Sequence, residues 1–206
     1  RPAGDGEFDA PGFLTGVLGS ISGNIHAKLP GEYEHALRRL TRIPVRELGR
    51  MTVESSEWGT VWLDARRFGK PDVKHLVWGR LASFQVQFHA PDPRKYGRTQ
   101  SFTGASVQAF HRGNYPSAPK ITVSGVAAGG YTVTGPGGRQ YVVTRALEAG
   151  HPHTIDMATG WLSVDGVVVT GGVGRADTWA VAPGVKTPMS VSGGLTMDVA
   201  VPNTFI

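Results

Sequence analysis

One short stretch restricts what this chain can fold into. Within Ser83–His89, the side chains of Phe84, Val86 and Phe88 fall on one side of an extended segment, and polar side chains fall on the other. A hydrophobic period of two is typical of a β-strand that has one face in a core and one face in water. We therefore predict a strand here, with Phe84, Val86 and Phe88 buried.

Two prolines are predicted to end this strand. Pro91 and Pro93 have no backbone N–H to donate to a β-ladder. Arg94, Lys95 and Tyr96 follow, so the prediction is a stiff, basic loop whose side chains are accessible in the monomer. Arginine and aromatic side chains often anchor protein interfaces. These three residues are therefore candidates for a contact with another subunit.

One helix is predicted, over Glu32–Ile43, with Pro44 ending it. Apolar side chains recur there at spacings of three and four, which gives the helix one buried face: Tyr33, Ala36, Leu37 and Leu40. Basic side chains fall late in the helix, where they complement its dipole. Arg38 and Arg42 belong either to a solvated face or to a subunit contact. Arg98, beyond the basic loop, is a further candidate for such a contact.

The rest of the first half is predicted to be sheet. The glycine-interrupted segment 14–27 indicates a twisted or bulged strand, and Thr60–Arg67 alternates apolar and polar side chains. Val73–Trp78 and Gln100–Phe110 are further strand candidates. A sheet that carries one helix is an α+β layer arrangement. Residues Arg1–Phe13 show no hydrophobic period and are interpreted as an arm or loop.

The second half is predicted to contain only short strands and tight turns. It begins at His111–Pro119, a segment with two prolines and a glycine that indicates a hinge. Hairpins are predicted around GPGG, MATG and Asp165-Gly166. Further strands are predicted at Thr178–Val181, Met189–Val191 and Leu195–Val201. Regular turn spacing is typical of a β-sandwich, so we divide the chain into residues 1–112 and residues 113–206.

Composition excludes several classes of protein. The chain has 206 residues and no cysteine, which excludes disulfides and thiolate chemistry. No apolar run approaches the ~20 residues of a membrane helix. Residues 1–118 contain 16 Lys and Arg against 11 Asp and Glu, whereas residues 119–206 contain five of each. This excess favours an anionic partner or an acidic neighbouring subunit, without the dense basic stripe of a nucleic-acid binder.

No motif predicts an enzyme, a metal site or a cofactor. The carboxylates are scattered, so no acid–base pair can be proposed. His151 and His153, with Asp156, are possible metal ligands, but Pro152 favours a surface turn and no further ligand has a supporting spacing. We therefore predict no metal site at this position.

Two tryptophans leave an alternative function open. Trp161 and Trp179 lie near strand starts and are either core residues or the aromatic platform of a sugar site. The alternative function is accordingly a carbohydrate-binding β-sandwich that contacts the host cell wall. An exposed aromatic strip on a monomer would favour this alternative, whereas oligomers with buried polar seams would favour an assembly protein.

The sequence resembles the distal tail proteins of long-tailed, non-contractile bacteriophages, through the order and spacing of nine segments. In the first half these are GDGEFDAPGFLTG, VLGSISGNI, EYEHAL, VWLDARRF and FQVQFHAPDPRKYG. In the second half they are GNYPSAPKITVSG, TIDMATGWLSVDG, RADTWAVAPG and LTMDVAV. The resemblance thus spans most of the chain.

This resemblance implies a structural virion protein without enzyme activity. Residues 1–112 would form a ring, expected to be a hexamer, and residues 113–206 a galectin-like β-sandwich. The ring would be assembled in the host cytoplasm and would join the tail tube protein to the baseplate hub or tail-tip protein at the distal end of the tail. Tape-measure protein and DNA would pass through its lumen. Family members usually have further strands ahead of the position that matches Arg1, so we expect strands to precede it.

Overall fold

The structure, a computed structural model, describes residues 14–206. The predicted arm Arg1–Phe13 lies outside the described residues. The described chain forms two compact units. Unit 1 comprises residues 14–52 and 63–93, and unit 2 comprises residues 53–62 and 94–206. The division into domains at residues 112 and 113 stays a prediction.

Unit 1 is a small antiparallel sheet with one helix. Its elements are β1 (Val17–His26), α1 (Pro30–Thr41), the first part of β2 (Gly49–Ser55), most of β3 (Gly59–Val77) and β4 (Leu81–Ala90). β4 lies between β1 and β3, and β2 pairs with β3. The predicted strand Ser83–His89 is confirmed as the central part of β4.

The glycines of β1 make room for the aromatic rings of β4. β1 pairs with β4 along its full length without a register shift, with Gly19 opposite Phe88 and Gly23 opposite Phe84. A Cβ on Gly23 would come within 2.9 Å of the Phe84 ring. The predicted bulge in this strand is therefore wrong, because these glycines serve close packing rather than an extra residue.

The core face of β4 is buried less completely than predicted. Val86 is buried, but Phe84 and Phe88 are only half-buried and pack against small clusters around Ile25 and Leu63. The fully buried residues of this strand face are the alanines at its two ends. Unit 1 by itself is too thin to cover both phenyl rings.

Helix α1 begins two residues before the predicted start. Pro30 stands at its first turn, where a missing N–H costs nothing, and the Glu32 carboxylate accepts hydrogen bonds from the backbone N–H groups of Lys28 and Leu29. The predicted apolar face is confirmed: Tyr33 is buried, and its partly buried companions are Ala36, Leu37 and Leu40.

β3 is one long strand where two were predicted. It contains both Thr60–Arg67 and Val73–Val77, and its register with β4 shifts between Phe68 and Asp72. Gly69 within this irregularity has a φ of +73°, which favours glycine. The local irregularity interrupts the alternation of side chains, and the sequence pattern therefore separates one strand into two.

Unit 2 is built from two antiparallel sheets and the beginning of β3. Its first sheet has the order β5-β15-β7-β10-β11-β12, with bounds Lys95–Gly104, Thr196–Phe205, Lys120–Ser124, His153–Asp156, Trp161–Val164 and Val167–Val168. Its second sheet has the order β13-β9-β8-β14-β6, with bounds Val173–Ala176, Gln140–Val143, Tyr131–Thr134, Thr187–Val191 and Ser106–Ala109. A short 3-10 turn, Pro136–Gly138, joins β8 to β9.

One hydrophobic core lies between these two sheets. Buried side chains come from both, for example Ile121, Ile155 and Val199 from the first sheet and Val133 and Met189 from the second. The three predicted hairpins are confirmed as β8–β9, β10–β11 and β11–β12. Asp165 and Gly166 both have positive φ angles, +50° and +80°, as a tight two-residue hairpin turn requires.

Two strand predictions in unit 2 are wrong. Gln100–Phe110 is not one strand, because the chain leaves β5 at Gly104, whose φ is +157°, and enters β6 of the other sheet. Thr178–Val181 is not a strand either; only Val181 forms an isolated bridge, with Ser117. The strand nearby is β13, which was not predicted because the sequence before it is rich in glycine.

The predicted hinge His111–Pro119 is tied down within unit 2. His111 is fully buried, and the backbone N–H groups of Asn114 and Tyr115 both donate to the Thr204 carbonyl. Gly113 packs so closely on Thr204 that a side chain would overlap its backbone. The hinge prediction is wrong because these backbone groups find partners on β15.

No helix in residues 14–206 has the length and apolar character to cross a membrane.

Candidate interaction surfaces

Unit 1 exposes many large apolar side chains. Three regions contribute most of them: the start of β1, the loop after α1 and the turn between β3 and β4. The exposed residues are Leu14, Val17, Leu18, Ile21, Leu29, Ile43, Val45, Leu48, Phe68, Leu76, Val77 and Trp78. Contiguous exposed apolar patches are typical of surfaces that contact other molecules, so these three regions are candidates for such a surface.

The β3–β4 turn presents the most exposed of these side chains. Trp78 is 80% exposed, and its ring lies 4.6 Å from the ring of His75. The hydroxyl of buried Tyr33 hydrogen-bonds to Nδ1 of His75, which connects the turn to helix α1. The tryptophan is thus held outward by a packed support rather than by a loose loop.

An apolar groove of about 400 Å³ lies between the sheet of unit 1 and the segment after α1. Its apolar lining includes Ile21, Ile43, Val86 and Phe88. Arg67 also lines it; its Nε is buried and has no hydrogen-bond partner among residues 14–206. A buried N–H without a partner is costly, so the groove suits an apolar side chain that brings an acceptor with it.

Another surface of unit 1 is polar and carries little net charge. A depression of about 530 Å³ is lined mainly by hydroxyl and amide side chains of β1 and β4, with one acid and one base from β3. These are Ser22, Asn24, Ser83, Gln85, Asp72 and Lys74. Unit 1 therefore presents surfaces of contrasting chemistry.

The structure leaves Arg38 and Arg42 on the surface. Both are exposed, and Arg38 forms an ion pair of 3.5 Å with Glu34 one helical turn earlier. Both partners of this pair are largely in water, so it contributes little to stability. A role for Arg38 and Arg42 in a subunit contact stays a prediction.

The predicted basic loop is part of a strand. Lys95 and Tyr96 open β5 and pair with Phe205 and Thr204 of β15. The Lys95 ammonium lies 4.9 Å from the centre of the Trp58 ring.

Contacts within unit 2 occupy the other two side chains of this segment. The Arg94 guanidinium lies over the ring of Tyr96 at 5.8 Å, and the Tyr96 and Trp62 rings are 4.8 Å apart. Arg94, Lys95 and Tyr96 are all half-buried, so the prediction of a freely accessible loop is wrong. Arg98, by contrast, is exposed, and its role in a subunit contact stays a prediction.

The two tryptophans proposed for the alternative function, carbohydrate binding, have different environments. Trp161 is 61% exposed, whereas Trp179 is 4% exposed and packs in the core of unit 2. The Trp179 ring lies where a side chain on Gly135 would stand. Trp179 is therefore a core residue and cannot serve as a sugar platform, while the ring of Trp161 remains available.

The histidine segment is divided between surface and core. His151 is exposed and hydrogen-bonds through Nδ1 to Asp165 at 2.7 Å, which raises the pKa of the imidazole. His153 is buried beside the Tyr131 hydroxyl at 3.2 Å, and burial lowers its pKa. Within residues 14–206 no three acidic or histidine side chains are grouped as a metal site requires.

A second buried histidine, His111, has a fixed tautomer. Its Nε2–H donates to the Val181 carbonyl at 3.1 Å, and its Nδ1 accepts from the Gly113 N–H at 3.1 Å. Burial lowers the pKa of this imidazole, and this effect outweighs the hydrogen bond to the Val181 carbonyl, which favours the charged form.

Sequence reasoning missed the exposed apolar residues of unit 1. The glycines at positions 19 and 23 share the four-residue spacing of Phe84 and Phe88, and this match could have predicted the β1–β4 register. No comparable signal separates Trp78 or Ile21 from a core residue, because exposure depends on which elements cover them.

The fold resembles that of a bacteriophage protein of the hub adsorption apparatus. The solved structure is that of the SPP1 Dit protein (gp 19.1), described as a paradigm of this apparatus in phages that infect Gram-positive bacteria. The TM-score is 0.78 at 14% sequence identity, over 100% of this chain and 86% of that chain. The resemblance inferred from the sequence is thus confirmed at the level of the fold. Comparisons with protein-family models and with curated proteins give no match.

Proposed function

We propose that this chain is a structural subunit of a bacteriophage tail and has no catalytic role. The observation that carries the proposal is the likeness of fold to the SPP1 Dit protein over the whole chain. A fold alone does not fix a function, so the surfaces of this chain must also suit the role. Unit 1 supplies such surfaces, since its apolar residues are exposed in the isolated chain.

In the finer proposal, the chain forms a hexameric ring at the distal end of the tail. The region up to residue 112 forms the ring, and the remainder forms a galectin-like β-sandwich that projects from it. The ring joins the tail tube protein to the baseplate hub or tail-tip protein, contributes to host attachment, and lets the tape-measure protein and DNA pass. The polar surface of unit 1, with its balanced charge, suits a lumen to which DNA must not adhere.

Contacts between copies are proposed to bury the apolar surface of unit 1. Trp78 and Ile21 are its proposed anchors, because Trp78 is the most exposed of these side chains and Ile21 lines the apolar groove. Arg38, Arg42 and Arg98 would lie at the rim, where charges influence rate and orientation more than affinity.

Analytical ultracentrifugation across micromolar concentrations tests this assembly. Wild type should sediment as a closed ring, and Trp78→Ser or Ile21→Ser should each weaken assembly at least about tenfold while leaving the fold intact. Val126→Ser is the matched control, because Val126 is an exposed apolar residue of unit 2. A wild type that remains monomeric, or a control that dissociates equally, would overturn the ring proposal.

Trp161 supports a second candidate function, binding to a host-wall carbohydrate. Its exposed indole lies on β11, and Trp161 is paired with Asp156 of the neighbouring strand β10. An aromatic ring can stack on the face of a sugar, and a carboxylate beside it can accept hydrogen bonds from the sugar hydroxyls. Trp161→Ala should abolish retention of the protein on cell-wall polysaccharide without altering sedimentation. Unchanged retention would remove this candidate.

A further inference from the structure

Unit 2 contains a polar pocket for which the proposed tail role names no ligand; of its residues, only Arg98 is also assigned to the rim of the contact between copies. It has a volume of about 490 Å³ and is lined by residues of β5, β15 and the segment after β6: Arg98, Thr99, Gln100, Ser101, Arg112 and Asn203. Among residues 14–206, no carboxylate lines it. Arg98 and Arg112 are exposed, and neither forms an ion pair within residues 14–206.

Asn203 is oriented to donate into this pocket. Its Oδ1 accepts from Gln100 Nε2 at 3.2 Å and from the Arg112 backbone N–H at 2.9 Å. Both acceptor positions of the amide oxygen are therefore occupied, and the amide NH₂ group is left to donate. A side chain fixed through its oxygen in this way presents a donor at little cost in entropy on binding.

An irregularity in the sheet places Arg98 at this pocket, and Arg112 reaches it from the segment after β6. The register of β5 and β15 shifts so that Gly97 and Arg98 together lie opposite Asn203. Bulges of this kind redirect a side chain and are frequent beside functional sites. Arg112 follows buried His111, whose ring hydrogen-bonds to the Val181 carbonyl. The backbone of each arginine is thus held in place.

We propose that this pocket binds a phosphate group carried on a polyol or sugar. Two guanidinium groups that each donate two parallel N–H bonds, together with an amide NH₂, exceed the about four lone-pair sites of a carboxylate. The three terminal oxygens of a phosphate monoester can accept from all three groups. The pocket is also larger than a phosphate group, and Thr99 and Ser101 add hydroxyls that can pair with those of a polyol.

A nucleic-acid backbone suits the pocket less well. Binding to DNA requires a row of cations that neutralises successive phosphates. Only two arginines converge here, and unit 2 as a whole has nine Lys and Arg against seven Asp and Glu. An isolated phosphate on a small neutral carrier matches this distribution of charge, and the inference holds whether or not the chain forms a ring.

Calorimetric titration of the full chain with glycerol 3-phosphate tests the proposal, with inorganic phosphate and glycerol as comparison ligands. We expect glycerol 3-phosphate to bind more tightly than phosphate, and glycerol not to bind up to about 10 mM. Arg98→Gln and Arg112→Gln should each weaken binding about tenfold. Asn203→Asp should abolish it, because the oxygen acceptor is kept while a donor becomes a negative charge.

Arg145→Gln is the control, since Arg145 is an exposed arginine of unit 2 outside the pocket and its loss changes the net charge equally. Equal weakening by this control would show nonspecific attraction and overturn the site. Tighter binding of a single-stranded oligonucleotide or of an acidic peptide, displacing glycerol 3-phosphate, would assign the pocket to another partner and also overturn it. Absence of binding by folded wild type would do the same. If Asn203→Asp fails to fold, the two arginine variants decide.

Discussion

The two units differ in how well each encloses its own core. In unit 2, 20 buried hydrophobic residues form one cluster between two sheets, whereas unit 1 contains two clusters of three. Large apolar side chains show the opposite trend: within residues 14–206, twelve of the nineteen that are exposed belong to the smaller unit 1. Exposed apolar surface favours association and a closed core favours independent folding, so we expect the two units to differ in both respects.

Matched isoleucine truncations test this contrast between the units with the largest expected effect. Ile155→Ala in unit 2 removes a fully buried side chain and should lower the free energy of unfolding by ~2–5 kcal/mol. Ile21→Ala in unit 1 alters a side chain that is 51% exposed and should change it by no more than ~0.5 kcal/mol. Urea denaturation at concentrations where the chain is monomeric measures both. Equal losses would contradict the contrast between the units.

A glycine pair gives a smaller effect within unit 1. Gly23→Ala should cost ~1–3 kcal/mol, because the new Cβ would meet the Phe84 ring at 2.9 Å and overpack the β1–β4 contact. Gly31→Ala in α1 meets no atom within 4 Å and should stabilise by up to ~1 kcal/mol. Thermal unfolding of the two variants distinguishes them. A Gly23→Ala variant as stable as wild type would show that β1 does not depend on this fit.

The smallest effect concerns the response of unit 2 to acid. The pKa of His111 is lowered in the folded state by burial, so the unfolded chain binds the proton more readily. The contribution of neutral His111 to the free energy of unfolding is complete above the ordinary pKa of 6.5. It is lost as the pH falls through the lower pKa of the folded state. His111→Gln should therefore flatten the decline of the urea midpoint between about pH 7 and pH 5.

His151 serves as a control, because its effect on the pH dependence of stability has the opposite sign. Its pKa is raised by the hydrogen bond with Asp165, so its contribution is present below 6.5 and is lost as the pH rises through the folded value. His151→Gln should make the acid decline slightly steeper, because it removes a contribution that is present at low pH. A His111→Gln variant with the slope of wild type would show that another group governs acid sensitivity.

Local patterns were sufficient for elements whose signal lies within the element. The alternation in Ser83–His89, the three-four spacing of α1 and the Asp165-Gly166 turn each predicted the observed element, because period and turn chemistry are local properties. The order of short motifs also indicated the fold that the SPP1 Dit protein shares. For β1 the glycines were visible but were interpreted as signs of a twisted or bulged strand, since their aromatic partners are distant in sequence.

Tertiary structure decided which of these elements are covered. The sequence could not show that His111–Pro119 would find its partners on Thr204, that Lys95 would lie over Trp58, or that Trp179 would be buried and Trp161 exposed. Each outcome depends on contacts between residues far apart in the chain. The sequence by itself determined the helix, the hairpin turns and the strand with regular alternation, because backbone conformation there follows nearby side chains. Which side chains are buried, and therefore which surfaces are candidates, was decided only by the packing of distant strands. Apolar area is removed from water only when the layers pack together, so this free energy cannot be assigned from one segment of the sequence.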